Sequence, residues 1–453
     1  MIRKLRAKNF KSWKDTGELH LAPLTGLFGT NSSGKTSIMQ MLLMLKQTVE
    51  SADRKRTINT GDDRSLVDLG TFFDLIHGHK STDPLELSLA WDLPETLSVR
   101  NPEADSMLFE ISQIAFSTLL REESGRPVVE SFNYFFDETV LGMKRKNGVK
   151  KAEADKYDLH SEGFNPRRFP GRVWPLPAPV RCYGFPDEAI GYFQNTGFLP
   201  DFALAFEKLM SSIAYLGPLR EYPKRSYLWA GESPESVGQK GELAIPALLA
   251  SRTKRDIYRP GKKKQTAEER VAEWLKDIRL IESFSLRPIA ANRKDYEVRV
   301  RKTKDSPEVL ITDVGFGVSQ ILPVLVLCYY VPQGSIILLE QPEIHLHPFV
   351  QSALADVLID VVKNRKIQII VESHSEHLLR RLQRRIAEEK IQADDVALYF
   401  CQIENGTSQV EQLNVDLFGN ITNWPKDFFG DELGDLMAMT EAAIKRQGAV
   451  KQC

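Results

Sequence analysis

The sequence predicts an α/β fold: a mixed sheet with helices, a large α+β insertion and a small C-terminal α+β domain. Three observations predict it. Leu24 to Phe28 is an apolar run that meets Gly29-Thr30-Asn31-Ser32-Ser33-Gly34-Lys35-Thr36 and then a helical pattern over Ser37 to Gln47. Ser335 to Glu340 is a second apolar run ending in a carboxylate, and Ile367 to Glu372 is a third, ending at Ser373-His374-Ser375. Between the first run and the other two lies a long region, about Pro84 to Leu310, without sustained periodicity.

The first element alternates. Ile2 to Phe10 reads as a strand, and after a polar turn Glu18 to Leu21 returns antiparallel into the run at Leu24. Strand, glycine loop and helix together aim backbone N–H groups and a helix N-terminus at a phosphate. The spacing G-x-x-x-x-G-K-[ST] is that of a phosphate-cradling loop. Asn31, Ser32, Ser33, Gly34, Lys35, Thr36 and Ser37 are therefore the candidate nucleotide-binding residues. Lys35 reaches the β- and γ-phosphates, and Thr36 offers its hydroxyl to Mg²⁺. A chance match in a glycine turn is the alternative, and both flanks argue against it. The expected ligands are ATP and Mg²⁺.

Length and composition set bounds. At 453 residues the chain exceeds one average core. Lysine and arginine (60) balance aspartate and glutamate (61), so no global charge argument for nucleic acid exists. The four cysteines form no C-x-x-C pair, no apolar run reaches membrane-spanning length, and no signal-like segment opens the chain. A cytoplasmic protein without a membrane association is expected.

In the middle region, strands are expected at Leu85–Trp91, Leu108–Phe116 and Ser131–Phe136, with a polar connector over Lys144–Lys156. Arg168–Val180 is proline-rich loop, and Pro200–Ala214 is helix-like. Arg252 to Lys264 is locally basic; a nucleic-acid contact is the sharp reading and a solvated loop the bland one. Order returns at Glu308, and Gly315 and Gly317 precede an apolar helix with Pro323 expected in its first turn. A helix follows over Phe349–Lys363, and another over Glu376–Lys390. Val396–Ile403 and Ser408–Leu413 form a hairpin around Asn405-Gly406, and a last helix spans Asp431–Arg446.

Asn9-Phe10-Lys11-Ser12-Trp13, the phosphate loop with Asn31 inside it, Ile336 to Glu343, and His374 after its strand together resemble the head domain of SMC- and RecF-type ATPases, within the ABC ATPase class. The resemblance covers roughly residues 1–78 and 308–403. It implies an ABC-type P-loop ATPase head split over 1–78 and 308–393, an insertion or lid over 79–307, and a small domain over 394–453. The tail from Asp394 to Phe429 looks like the small domain of unknown function that closes many bacterial ATPases of AAA and ABC type. In architecture the chain also resembles the ATPase subunit of the Septu anti-phage system. An appended TOPRIM nuclease of the OLD type is not expected, because the chain after His374 is short.

The resemblance implies roles. Glu340 would stand near Mg²⁺ with Thr36, and His374 would be the switch histidine. Gly315 and Gly317 would contact the γ-phosphate held by a second subunit, so two heads would sandwich the nucleotide. Two departures matter. Gln341 stands where the family has the glutamate that polarises water, and an amide is no general base at neutral pH; losing such a base costs about 10²–10⁴ in rate. Glu343 would face the same side as Gln341 if the chain stayed extended, and would then substitute. No glutamine occupies Val67 to His77, where the family's glutamine loop is expected. The pair His345 and His347 lacks a matching ligand set for a metal, and Asp394-Asp395 precedes a strand, unlike a nuclease acid pair.

The function expected is an ATP-binding regulatory subunit that oligomerises through its heads and hydrolyses ATP slowly or not at all. It would control a separate nuclease, with the HNH type as one candidate, in anti-phage defence, touching DNA directly or through that partner. The alternative is a hydrolysing ATPase of DNA repair or recombination that binds DNA itself.

Overall fold

The structure, a computed structural model, describes residues 1–80, 82–100, 107–146, 156–257, 263–425, 428, 437–444 and 446. Parts of the connector at Lys144–Lys156, of the basic stretch and of the last expected helix lie outside the described residues.

Two sheets share the load. The first is antiparallel. It is built on β1 (Ile2–Phe10), which pairs with β2 (Trp13–Asp15), β3 (Leu19–His20) and β5 (Leu85–Arg100). It continues through β6 (Met107–Glu123), β7 (Arg126–Phe136), β8 (Thr139–Arg145) and β9 (Tyr157–Glu162). The alternating pattern of β1 is the reason: Ile2, Leu5, Ala7 and Phe10 are buried while the residues between them reach solvent.

The second sheet carries the strand that leads into the phosphate loop. Its order is β10 (Ile213–Leu216), β15 (Ile336–Glu340), β16 (Gln368–Glu372), β4 (Leu24–Gly29), β17 (Val396–Glu404) and β18 (Thr407–Leu413). All neighbours are parallel except the β17–β18 hairpin. β15 and β16 are buried at every position, which is why they read as unbroken apolar runs. The hairpin turns at Asn405 and Gly406, both with positive φ, as the Asn-Gly pair predicts.

Helices cover this sheet. They are α1 (Lys35–Glu50), α4 (Leu199–Ser211), α7 (Phe316–Tyr330), α8 (Pro348–Arg365) and α9 (Glu376–Ala387), with the short turns α2 (Phe72–Leu75) and α3 (Asp187–Gly191) on the periphery. A third, four-stranded antiparallel sheet joins β11 (Tyr227–Leu228), β13 (Asp295–Arg301), β12 (Ser283–Pro288) and β14 (Glu308–Leu310), beside α5 (Ala244–Ser251) and α6 (Ala267–Asp277).

The region 79–307 contributes strands to both the first and the second sheet: β5 pairs along β1, and β10 forms the edge of the parallel sheet against β15. The C-terminal region is joined in the same way, because β17 pairs with β4 from Val396 to Cys401. Pro200–Ala214 is not one helix. The helix stops at Ser211 and β10 begins at Ile213, since Ile213 and Leu216 pack into the sheet core. Pro323 lies inside α7 rather than in its first turn, because the helix starts at Phe316. Its ring fills the space beside Gly241, where a Cβ would come 2.5 Å from Pro323 Cβ.

Among the described residues no helix is long and apolar enough to cross a membrane. Cys182, Cys328 and Cys401 are free and buried, and burial pushes each thiol up to about 12.

Candidate functional site

β4 delivers its loop at the C-terminal end of the parallel sheet. The loop turns on two glycines for steric reasons. Gly29 has φ of 135°, and a Cβ there would lie 1.9 Å from the Cys401 carbonyl oxygen on β17. Gly34 has φ of 90° and caps α1. A Cβ on Gly34 would fall 2.6–2.7 Å from Ser408 Oγ, Ser12 Oγ and Trp13 Nε1. Trp13 Nε1 donates to the Gly34 carbonyl at 3.0 Å, and Ser408 Oγ donates to Ser12 Oγ at 2.7 Å. The loop is thus clasped from the β1–β2 turn and from the β17–β18 hairpin.

The first turn of α1 carries no acidic residue and no side-chain cap, so its N–H groups are open to an anion. Thr30, Asn31 and Ser32 are exposed at the tip, whereas Ser33 and Ser37 are buried. Lys35 is buried, and its ammonium donates to the carbonyls of Gly29 (3.1 Å) and Thr30 (2.6 Å). Burial pulls the pKa of Lys35 below the usual lysine value. A phosphate group would restore the missing negative charge, so the loop fits a triphosphate.

The carboxylates are arranged differently from expectation. Glu340 is not beside the phosphate-loop strand, because β16 lies between β15 and β4. Glu340 pairs with Glu372, and Glu372 with Leu27. Glu372 therefore stands next to the loop, and Thr36 Oγ1 donates to it at 2.8 Å. Sequence reasoning missed Glu372, although Ile369-Ile370-Val371-Glu372 repeats the pattern that drew attention to Glu340. Glu340 is buried and accepts from Tyr215 Oη at 2.9 Å. Burial, and then the charge of Glu372, push Glu340 up to about 7. Among the described residues no group of three or more His, Cys, Asp or Glu side chains could hold a metal ion alone. Mg²⁺ at this site would rest on Thr36, Glu372, Glu340 and the nucleotide's own oxygens; when bound it would neutralise phosphate charge.

A pH dependence follows. Glu340 holds its proton more tightly in the folded protein than at its ordinary value of 4.5. Its favourable contribution is complete below pH about 4.5 and is lost as pH rises through about 7. Glu343 acts with the same sign, since burial raises it too. The nucleotide-free protein is expected to lose on the order of 3 kcal/mol between pH 5 and 8 through Glu340. Glu340→Gln should flatten most of that slope in urea unfolding measured across this range.

The chain does not stay extended after β15. Gln341 adopts φ of 42°, and Ile344 N–H donates back to the Gln341 carbonyl at 3.2 Å. Glu343 consequently turns inward. It is buried, and one oxygen accepts the His374 backbone N–H at 2.7 Å. Gln341 ties β15 to β16: its N–H donates to the Glu372 carbonyl at 2.9 Å, and its side-chain amide stands 3.5 Å from the Glu372 carboxylate. His374 is exposed at this end of the sheet, and desolvation together with the charge of Lys35 lowers its pKa from the ordinary histidine value. Lys35, Thr36, Glu340, Gln341, Glu343, Glu372 and His374 thus converge on one end of the sheet.

Gly315 caps α7 and is exposed, and a Cβ there would meet nothing within 4 Å. Among the described residues no hydrogen bond joins Gly315 or Gly317 to the phosphate loop. The neighbouring Phe316 ring stacks edge-on against His345 and lies 5.6 Å from Tyr222. His347 Nδ1 accepts the Phe349 N–H at the start of α8. These two histidines therefore serve packing and capping in this structure.

A family model described as "AAA ATPase domain" matches residues 1–122 and 245–379. One described as "Protein of unknown function (DUF3696)" matches residues 391–439. No curated protein matches the sequence. Three solved structures are similar. An SMC head bound to the C-winged helix domain of ScpA has 12% identity over 92% of this chain and 98% of that one, with a TM-score of 0.44. The SMC head domain from Thermotoga maritima has 14% identity over 91% and 99%, with a TM-score of 0.37. The Smc head domain with an extended coiled coil bound to the C-terminal domain of ScpA, derived from Pyrococcus furiosus, has 10% identity over 91% and 96%, with a TM-score of 0.45.

Proposed function

Because the chain belongs to the family described as AAA ATPase domain, we propose that it is an ATP-binding regulatory subunit of SMC/RecF-like ABC type with slow or absent hydrolysis. Its heads associate over bound nucleotide, and the assembly controls a separate nuclease subunit in anti-phage defence. The carrying observation is the pair Gln341 and Glu343. The first has no basic lone pair for water, and the second is turned inward onto the His374 N–H. A carboxylate held there fits a relay between the strand ends better than a water-activating base. Head association is supported by exposed Tyr222 and Phe316 around the open N-terminus of α7.

Direct DNA binding finds less support. Arg252 is paired with Glu268 at 2.7 Å and Arg255 with Glu269 at 3.0 Å, so α6 neutralises part of the basic stretch.

Steady ATP turnover tests the reading. We expect turnover about 10²–10⁴-fold below that of an enzyme with a working base, changed little by Gln341→Ala. Brisk hydrolysis that survives Gln341→Ala and is abolished in Glu343→Gln would instead make Glu343 the base and remove the slow-switch reading.

A further inference from the structure

β10 ends at the same edge of the parallel sheet as β15, β16 and β4, and the chain then runs Gly217-Pro218-Leu219-Arg220 across that edge. Arg220 lies against the end of β15. Its Nη2 is 3.4 Å from the Glu340 carbonyl oxygen, while Nε and Nη1 are fully buried and have no hydrogen-bond partner. Among the described residues it forms no ion pair, although Glu340 and Glu343 are both within its electrostatic reach. Glu343 is also within reach of Lys35, so two cations serve one small region.

Arg220 as a whole is only partly buried, but two buried guanidinium nitrogens without partners cost free energy that ordinary packing does not return. Burial lowers its pKa to about 10, which reports the same penalty. A planar fork of this kind suits bidentate contact with a phosphate. The tether on β10 is short and the backbone is pinned, because Gly217 N–H donates to the Gln239 carbonyl and Glu221 N–H to the Lys240 carbonyl, each at 2.8 Å.

We propose that Arg220 is a γ-phosphate sensor: its partnerless Nε and Nη1 engage the terminal phosphate of a nucleoside triphosphate held by Lys35, so the site distinguishes triphosphate from diphosphate. This rests on nucleotide binding at the phosphate loop. It adds a residue that the sequence motifs do not mark.

The test compares a non-hydrolysable ATP analogue with ADP, each with Mg²⁺, by calorimetric titration of the full chain. Arg220→Met keeps the apolar stem and removes the charge; Arg220→Lys keeps the charge and removes the fork. Arg220→Met should lose about 10–100-fold in affinity for the analogue and keep its affinity for ADP. Arg220→Lys should fall in between. The nucleotide-free Arg220→Met protein should melt no lower than wild type, whereas a purely structural arginine would lower its melting temperature. The proposal is overturned if Arg220→Met weakens both ligands equally, if it weakens neither, or if wild type binds both with the same affinity. Wild type that binds neither ligand would overturn the phosphate-loop reading itself, and that outcome is separate from the others.

Discussion

Lys35→Ala is expected to raise the Kd for ATP by at least about 100-fold. The ammonium contributes charge-assisted hydrogen bonds worth about 1.5–3 kcal/mol each, and about 1.4 kcal/mol is a factor of ten. In the free protein the same group bonds within the loop itself, to the carbonyls of Gly29 and Thr30 and to the Ser33 hydroxyl. The substitution should therefore leave the fold intact. Titration with a fluorescent nucleotide measures the affinity, and a melting curve without nucleotide checks the fold. Unchanged affinity in a folded Lys35→Ala protein would mean that the nucleotide, if bound at all, sits elsewhere.

The second large effect is on stability. Arg270 on α6 is almost fully buried. It pairs with Asp360 on α8 at 3.0 Å and with Glu273 at 3.1 Å, and its guanidinium lies 4.6 Å from the Trp274 ring centroid. Tyr329 on α7 donates to the same Asp360 and accepts from Trp274 Nε1. This cluster locks α6, α7 and α8 together, and α7 is the helix that presents Gly315 and Gly317. Asp360→Ala should cost about 1–3 kcal/mol, because it removes one of the two carboxylates on Arg270 and leaves the buried Tyr329 hydroxyl without its acceptor. Urea unfolding measures the loss. The double variant Arg270→Met with Asp360→Leu should recover most of it, since replacing a buried ion pair with apolar groups is often neutral. A single variant that unfolds at the wild-type midpoint would show that the cluster contributes little.

The sequence made local features plain and left relational ones hidden. The phosphate loop is legible because its glycines, Lys35 and Thr36 act through spacing alone. β15 and β16 are legible because strands covered on both faces are apolar throughout. Their order in the sheet is not written in either run, and that order places Glu372 rather than Glu340 beside Thr36. The left-handed turn at Gln341 is also silent in the sequence, since glutamine seldom adopts it. That turn decides that Glu343 faces His374. β10 escaped because four residues, Ile-Ala-Tyr-Leu, continue the apolar pattern of α4 and fit either period. With β10 unread, Tyr215 and Arg220 had no visible connection to the site.

The parallel sheet has a consequence for synthesis. β4 lies at positions 24–29, yet its two partners, β16 and β17, begin at 368 and 396. A ribosome makes the strand that precedes the phosphate loop long before it makes either neighbour. Until then an apolar strand has both edges bare, which is a hazard for the nascent chain. The clasp on Gly34 closes later still, because Ser408 supplies part of it. The clasped phosphate loop therefore cannot form until Ser408 has been made.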